Sequence, residues 1–187
     1  EARLDQFRRM AAFFRSSAAD LGAAVVLAPN SIVAYRQMIR LTRARRDPAA
    51  SRRLLDEALK IQPYSFELRA AHMRSLLPSW GGSYEAMAAF AEESMPFAKR
   101  NPRIAALRGF VDWDEGRVAA GAERKGDAIE AYNRAIAFGD LAQFRFERGA
   151  YLAAADQTAG SLEALTRALA PNPQDAESAY RRTRGGT

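Results

Sequence analysis

Three segments of this chain repeat one spacing: a small residue, a large apolar residue four positions later, alanine three after that, and a helix-ending residue five further on. They are Ser51, Leu55, Ala58 and Pro63; Ala128, Tyr132, Ala135 and Asp140; and Ser161, Leu165, Ala168 and Pro173. Offsets of four and three put the first three positions of each set on one face of an α-helix. Small side chains there let a neighbouring helix come close, and the large residue fills the space between them. A face of this kind, recurring and followed by a stop, is what the second helix of a stacked helix–turn–helix unit requires.

The rest of the sequence agrees with an all-α fold. β-Branched residues are few and scattered, whereas alanine, leucine, arginine and glutamate fill the segments between turns. Helix starts are marked by a capping side chain before proline at Asp47-Pro48, Asn101-Pro102 and Asn172-Pro173. Asp127 with Glu130, and Asp140 with Gln143, have the spacing of capping boxes. Leu4, Phe7, Met10, Ala11 and Phe14 have the spacing of an amino-terminal helix that caps a stack. The expected organisation is one domain over 1–187, with a capping region at 1–30, repeats at 31–176 and a frayed tail at 177–187, about nine to eleven helices in all.

The second-helix pattern resembles that of tetratricopeptide repeats, which carry the same small, large, alanine and proline positions. Gly116 and Gly149 fall where that family has its first-helix glycine. Tyr35 and Met38 fall on its large first-helix positions, with Ile39 in place of the glycine, and Asp112 and Arg145 stand where it prefers tryptophan. The resemblance covers roughly 32–63 and 103–173 and implies an α-α superhelix of helical hairpins. A second, narrower resemblance lies in the stretch between. Leu77-Pro78-Ser79-Trp80-Gly81-Gly82-Ser83-Tyr84-Glu85-Ala86-Met87 is similar to the hallmark of domain of unknown function 4034, a bacterial family without an established activity. In that motif Pro78 ends one helix, the glycine pair permits a turn with positive φ, Trp80 is expected to plug the turn, and Ser83 can cap the next helix.

Charge is unevenly spread. The formal excess is +6, yet Glu1–Gln62 holds 12 basic against 6 acidic residues while the remainder balances at 16 and 16. Arginine outnumbers lysine 25 to 3, a bias that goes with alanine-rich, GC-rich bacterial coding before it speaks of phosphate binding. Arg36, Arg40 and Arg43 align on one helical face, with Arg45, Arg46, Arg52 and Arg53 close behind. A solvated stripe near a helix carboxyl end accounts for such charges. The functional alternative is a partner-binding groove. In the tetratricopeptide register Arg36, Gln37, Arg40 and Arg43 line the concave face, as do Trp113, Asp114, Arg117, Gln143 and Glu147. Its basic amino-terminal part suits an acidic protein or peptide partner. Nucleic acid on the Arg36–Arg53 patch is the second binding mode, although the patch lacks interleaved exposed aromatics.

Catalysis finds little to work with. There is no cysteine, and the single histidine, His72, sits mid-helix in Glu67-Leu68-Arg69-Ala70-Ala71-His72-Met73, where a packed or surface role is expected. Scattered carboxylates show no metal-ligand spacing, and no Gly-rich phosphate loop follows a strand. No cofactor and no enzyme activity are expected. The alternative is a carboxylate and arginine pocket near Asp112, Asp114 and Arg117, against the plainer reading of Asp112 to Glu115 as a solvated helix edge. Glu92-Glu93 reads as surface. The longest apolar run, Gly22 to Ala28, is far short of the roughly 20 residues that span a bilayer, so no membrane association is expected. A cytoplasmic location is the working expectation. Periplasmic or secreted locations stay open, because residue 1 is glutamate and a preceding segment is not excluded.

Overall fold

In the computed structural model of the chain, residues 2–154 are described, without the side chains of residues 2–4, 6–8, 10, 11, 14 and 15. Among the described residues every regular element is helical. The α-helices are α1 (Ala2–Leu27), α2 (Ile32–Ala44), α3 (Pro48–Ile61), α4 (Phe66–Ser75), α5 (Tyr84–Ser94), α6 (Phe110–Gly121), α7 (Lys125–Phe138) and α8 (Ala142–Ala154). Three 3₁₀ segments, Pro78–Trp80, Met95–Lys99 and Pro102–Gly109, lie between α4 and α6. The all-α expectation holds. The third repeated segment, Ser161 to Pro173, the Asn172-Pro173 start and the tail from 177 lie outside the described residues. So do the side chains of Leu4, Phe7, Met10 and Phe14, although a helix does run through them.

Where the sequence reading takes 1–187 as one repeat domain, the chain divides into two compact units, Glu1–Ile104 and Ala105–Thr187. The division falls inside the 3₁₀ stretch. Pro96 and Pro102 each lack an amide donor there, which disfavours continuous α-helix.

In the first unit α2 and α3 form a hairpin closed by three residues, and α4 packs against both of them. α1 packs on α2. The starts of α2 to α5 each have a chemical cause. Ser31 Oγ accepts from the Ala34 amide at 3.4 Å, Asp47 Oδ1 from Ala50 at 2.8 Å, Ser65 Oγ from Leu68 at 3.4 Å and Ser83 Oγ from Ala86 at 3.2 Å. The repeated face is buried as its spacing requires, with Ser51, Leu55 and Ala58 fully enclosed, and Ile39 fills the facing position on α2.

The second unit holds α6 and α7, again joined by three residues, with α8 packed on both. Ala128, Tyr132 and Ala135 are buried in turn. Gly116 on α6 is required by this packing, since a Cβ there would lie 2.8 Å from the buried Tyr132 ring. The carboxylates read as capping boxes are used otherwise. Asp127 lies in the first turn of α7 and pairs with Arg124 at 2.9 Å, and Asp140 precedes α8 and takes the guanidinium of Arg145. The neighbouring arginines take these carboxylates. Asn101 likewise opens a 3₁₀ segment rather than an α-helix. Its Oδ1 accepts from the Arg103 amide at 3.2 Å and its Nδ2 donates to the Tyr64 carbonyl at 2.8 Å.

The two hairpin turns are built alike, 77 residues apart. Among the described residues Arg46 and Glu123 are the two non-glycine positions with positive φ, at 53° and 57°. The residue after each bonds back to the helix, Asp47 N–H to the Thr42 carbonyl at 3.1 Å and Arg124 N–H to Ala119 at 3.0 Å. This is the 6→1 bond of a Schellman close, whose left-handed position glycine occupies at least cost. A side chain there costs about 1 kcal/mol. Arg46→Gly and Glu123→Gly are therefore each expected to stabilise the chain by roughly 0.5–1 kcal/mol, read as a higher urea midpoint at unchanged slope. A loss of stability from either would show that its side chain, not its backbone, holds the turn.

Candidate functional site

The arginine stripe lies on α2, away from the buried face formed by Ala34, Ile39 and Thr42. Arg40 is exposed, and Arg36, Gln37 and Arg43 are partly so. Arg36, Arg40, Arg43, Arg45, Arg46 and Arg53 have no carboxylate within 4.0 Å among the described residues. Arg36 Nε is buried without a hydrogen-bond partner. Burial pushes the Arg43 guanidinium below its ordinary value, and the like charge of Arg40 one turn away adds to the effect. Gln37, Arg40 and Leu41 line an open depression of about 500 Å3 with Ser17, Asp20 and Leu21 of α1. This face is a set of cations held together with few anions.

Arg52, which the sequence reading groups with this stripe, is spent elsewhere. It pairs with Glu93 through both terminal nitrogens, at 2.8 and 2.7 Å, and with Asp56 at 2.9 Å. Bonds to Glu93 raise its already high pKa.

The Trp80 motif lies beside the stripe. Arg43 sits over the Trp80 ring at 5.4 Å from its centroid, a cation–π contact. Gly81 takes the left-handed conformation, φ 91°, and a Cβ on Gly82 would lie 2.0 Å from the Leu76 carbonyl oxygen. The two glycines thus have separate reasons, one conformational and one steric, and Ser83 caps α5 as expected. Trp80 itself is half-buried.

In the second unit the five residues assigned to the groove do come together, but as a closed network. Trp113 is 4% exposed and packs edge-on to Phe110 at 5.6 Å, so its ring belongs to the core and is not offered to a partner. Asp114, 5% exposed, pairs with Arg117 at 2.9 Å. Arg117 also lies 3.7 Å from Glu147 and covers the Trp113 ring at 5.1 Å. Gln143 donates to Glu147 at 3.5 Å. Beneath them burial pushes the Tyr132 phenol up to about 12, with the charge of Glu147 the next contribution.

The carboxylates Asp112 and Glu115 turn to another partner, Arg134 of α7, at 2.6 and 3.1 Å. The carboxylates between Asp112 and Glu115 thus face two different guanidinium groups and do not converge on one point. Among the described residues no group of three or more His, Asp or Glu side chains is placed to hold a metal ion. No described helix is long and apolar enough to cross a membrane.

Two buried polar groups escape the sequence reading. Arg69 is 1% exposed, with its guanidinium 4.3 Å from the Phe97 ring centroid and donating to the Ser65 carbonyl at 3.2 Å. Burial lowers its pKa, opposed by Glu93. His72 is packed, as expected, but in unexpected company. Its Nδ1 lies 2.8 Å from Ser51 Oγ, Ser51 Oγ lies 2.8 Å from Ser75 Oγ, and Ser75 Oγ donates to the His72 carbonyl at 2.7 Å. With one proton per hydroxyl, the tautomer protonated at Nδ1 uses all three contacts. Ser75 at three residues from His72 was legible as a helical neighbour. Ser51 carried a signal too, as the small residue of the repeated face.

No protein-family model matches the chain, and no curated protein matches it.

Burial pushes the His72 imidazole from its ordinary 6.5 down to about 4, and the Arg52 charge acts in the same direction, against Asp56 and Glu93. The unfolded chain therefore binds this proton more readily than the folded one. The stabilisation is complete above pH 6.5 and is lost as pH falls from 6.5 toward 4, about 3 kcal/mol over that window. As the chain has one histidine, its ring-proton NMR signal reports this directly. The signal should stay at the neutral position at pH 5.5. In urea unfolding, His72→Gln should lose less stability than the parent between pH 7 and pH 4.5. A ring titrating near 6.5 would contradict its enclosure by Ser51, Ser75 and Phe90.

Proposed function

We propose that this chain is a tetratricopeptide-like helical scaffold whose first unit binds an acidic protein segment on the arginine face of α2. The observation that carries the reading is the contrast in how arginines are used. Arg52, Arg103, Arg117, Arg124, Arg134 and Arg145 each lie on a carboxylate. The five arginines of α2 and its following turn do not, and they stand together, whereas other arginines without a carboxylate among the described residues, such as Arg69, Arg100 and Arg148, are scattered over other elements. Like charges one turn apart cost stability, and an anionic ligand would recover it through charge-assisted hydrogen bonds.

The repeat reading is supported by the burial of the small, large and alanine positions on α3 and α7, and by the matching turns at Arg46 and Glu123. In that register α2 is a first helix, the kind that faces the partner in tetratricopeptide stacks. Arg36, Gln37, Arg40 and Arg43 are the proposed contacts. Trp113, Asp114, Arg117, Gln143 and Glu147 instead hold the second unit together. A scaffold without catalysis accords with the divergent pairing of Asp112, Asp114 and Glu115. The resemblance of the Trp80 stretch to domain of unknown function 4034 adds no activity.

The reading is tested with a fluorescein-labelled peptide of alternating glutamate and leucine, by anisotropy. Arg40→Glu is expected to weaken binding about 10- to 100-fold, the range for a hydrogen-bonded charge. Arg134→Glu, in the paired second unit, should leave it within about twofold, with circular dichroism confirming that both variants fold. Equal loss from the two variants would sink the assignment to α2. Tighter binding of a single-stranded oligonucleotide of equal charge, with a steep salt slope, would transfer the face to nucleic acid.

A further inference from the structure

The arginine stripe of α2 leaves unused a cavity between α1, α2 and α3, which shares Leu41 with the depression beside Arg40. It encloses about 350 Å3 and is walled by Ala18, Met38, Leu41, Ala50 and Leu54. Its size is at the lower end for small-molecule sites, about 300–1,000 Å3. Among the described residues its wall has one hydroxyl, Thr42, and that donates to the Ile39 carbonyl at 2.7 Å. A polar group pushed into this space would lose its water and find nothing in return.

The mouth has the opposite character. Arg45 and Arg53 stand at it, and neither meets a carboxylate among the described residues. Glu57 is also there, but its carboxylate lies 2.6 Å from Lys60 Nζ, which compensates its charge. An occupant that matches both parts has an apolar body and one anionic end. A neutral hydrocarbon would leave the two guanidinium groups unused, and a cation would be repelled by them.

We propose that this cavity binds a small amphiphilic anion of the fatty-carboxylate class, its tail against Leu41 and Leu54 and its head on Arg45 and Arg53. The site shares none of the proposed peptide contacts Arg36, Gln37, Arg40 and Arg43, although its Arg45 belongs to the same set of arginines without a carboxylate.

The test uses the full chain and three probes with ten-carbon chains, decanoate and decyltrimethylammonium below their micellar concentrations and decan-1-ol below its solubility limit. Methyl NMR shifts at Met38, Leu41 and Leu54 report occupancy. Decanoate is expected to saturate these shifts, with the alcohol at least about tenfold weaker and the cation weaker still. Arg45→Glu with Arg53→Glu should reverse the order of decanoate and the cation. Ala50→Leu, which fills the wall, should abolish binding of all three, and Arg40→Glu should leave decanoate affinity unchanged. Equal affinity for decanoate and the alcohol, or decanoate binding that survives the double variant, would overturn the proposal. So would an acetylated Glu-Leu-Glu amide that shifts the same methyls where decanoate does not, because the cavity would then hold a side chain of an acidic peptide.

Discussion

The first unit depends on how closely α3 is allowed to come to its neighbours. Close approach needs a small residue, and the residue at that point is Ser51, fully enclosed. Its hydroxyl is then trapped away from water and must find a partner inside, which His72 and Ser75 of α4 supply. The same position on α7 is Ala128, which brings no such obligation. One hydroxyl thus turns an apolar contact into a polar cluster, and the cluster fixes α4 against α3 in a way that methyl groups would not. Hydrogen bonds specify a mutual placement, whereas apolar packing tolerates sliding.

That polar cluster has consequences for the charges around it. A neutral imidazole is compatible with Arg52 close by, and Arg52 is in turn fixed by Glu93 and Asp56. The pair reaches from α3 to α5, so an exposed bidentate contact ties those two helices on the outside while Ser51 and His72 join α3 to α4 within. The remaining arginines of α2 and its turn have no such duty. Their freedom from carboxylates is why the uneven charge of the sequence, 12 basic against 6 acidic residues before Pro63, survives folding as a surface property.

Much of the fold was legible because helical burial has a period that survives in sequence. The faces Ser51, Leu55, Ala58 and Ala128, Tyr132, Ala135 are buried as spacing alone requires, and Asp47-Pro48 starts a helix for stated chemical reasons. The site was less legible. Register put Trp113 on a groove face, against the plainer expectation of a core tryptophan, and its ring is buried with Phe110 and Phe144. Asp127 and Asp140 had cap spacing, and the competing arginines at 124 and 145 were equally visible. Spacing does not rank a cap against an ion pair. Arg69 shows the same limit in reverse, since nothing local distinguishes an arginine that is buried over Phe97 from one in solvent.

The stretch where the repeated spacing fails is also where backbone constraints replace side-chain periodicity. Between α4 and α5 the chain turns on Gly81, whose φ of 91° few side chains tolerate, and on Gly82, pressed against the Leu76 carbonyl. A Cβ at Gly81 would meet Arg46 at 3.6 Å, so this turn lies against the left-handed turn between α2 and α3. Two left-handed turns side by side, with Arg43 over Trp80, make a corner. The corner holds the carboxyl end of α2 and therefore the orientation of Arg43 within the stripe. A motif with a backbone rationale for each glycine still acts on the candidate binding face, through the position it imposes on one guanidinium.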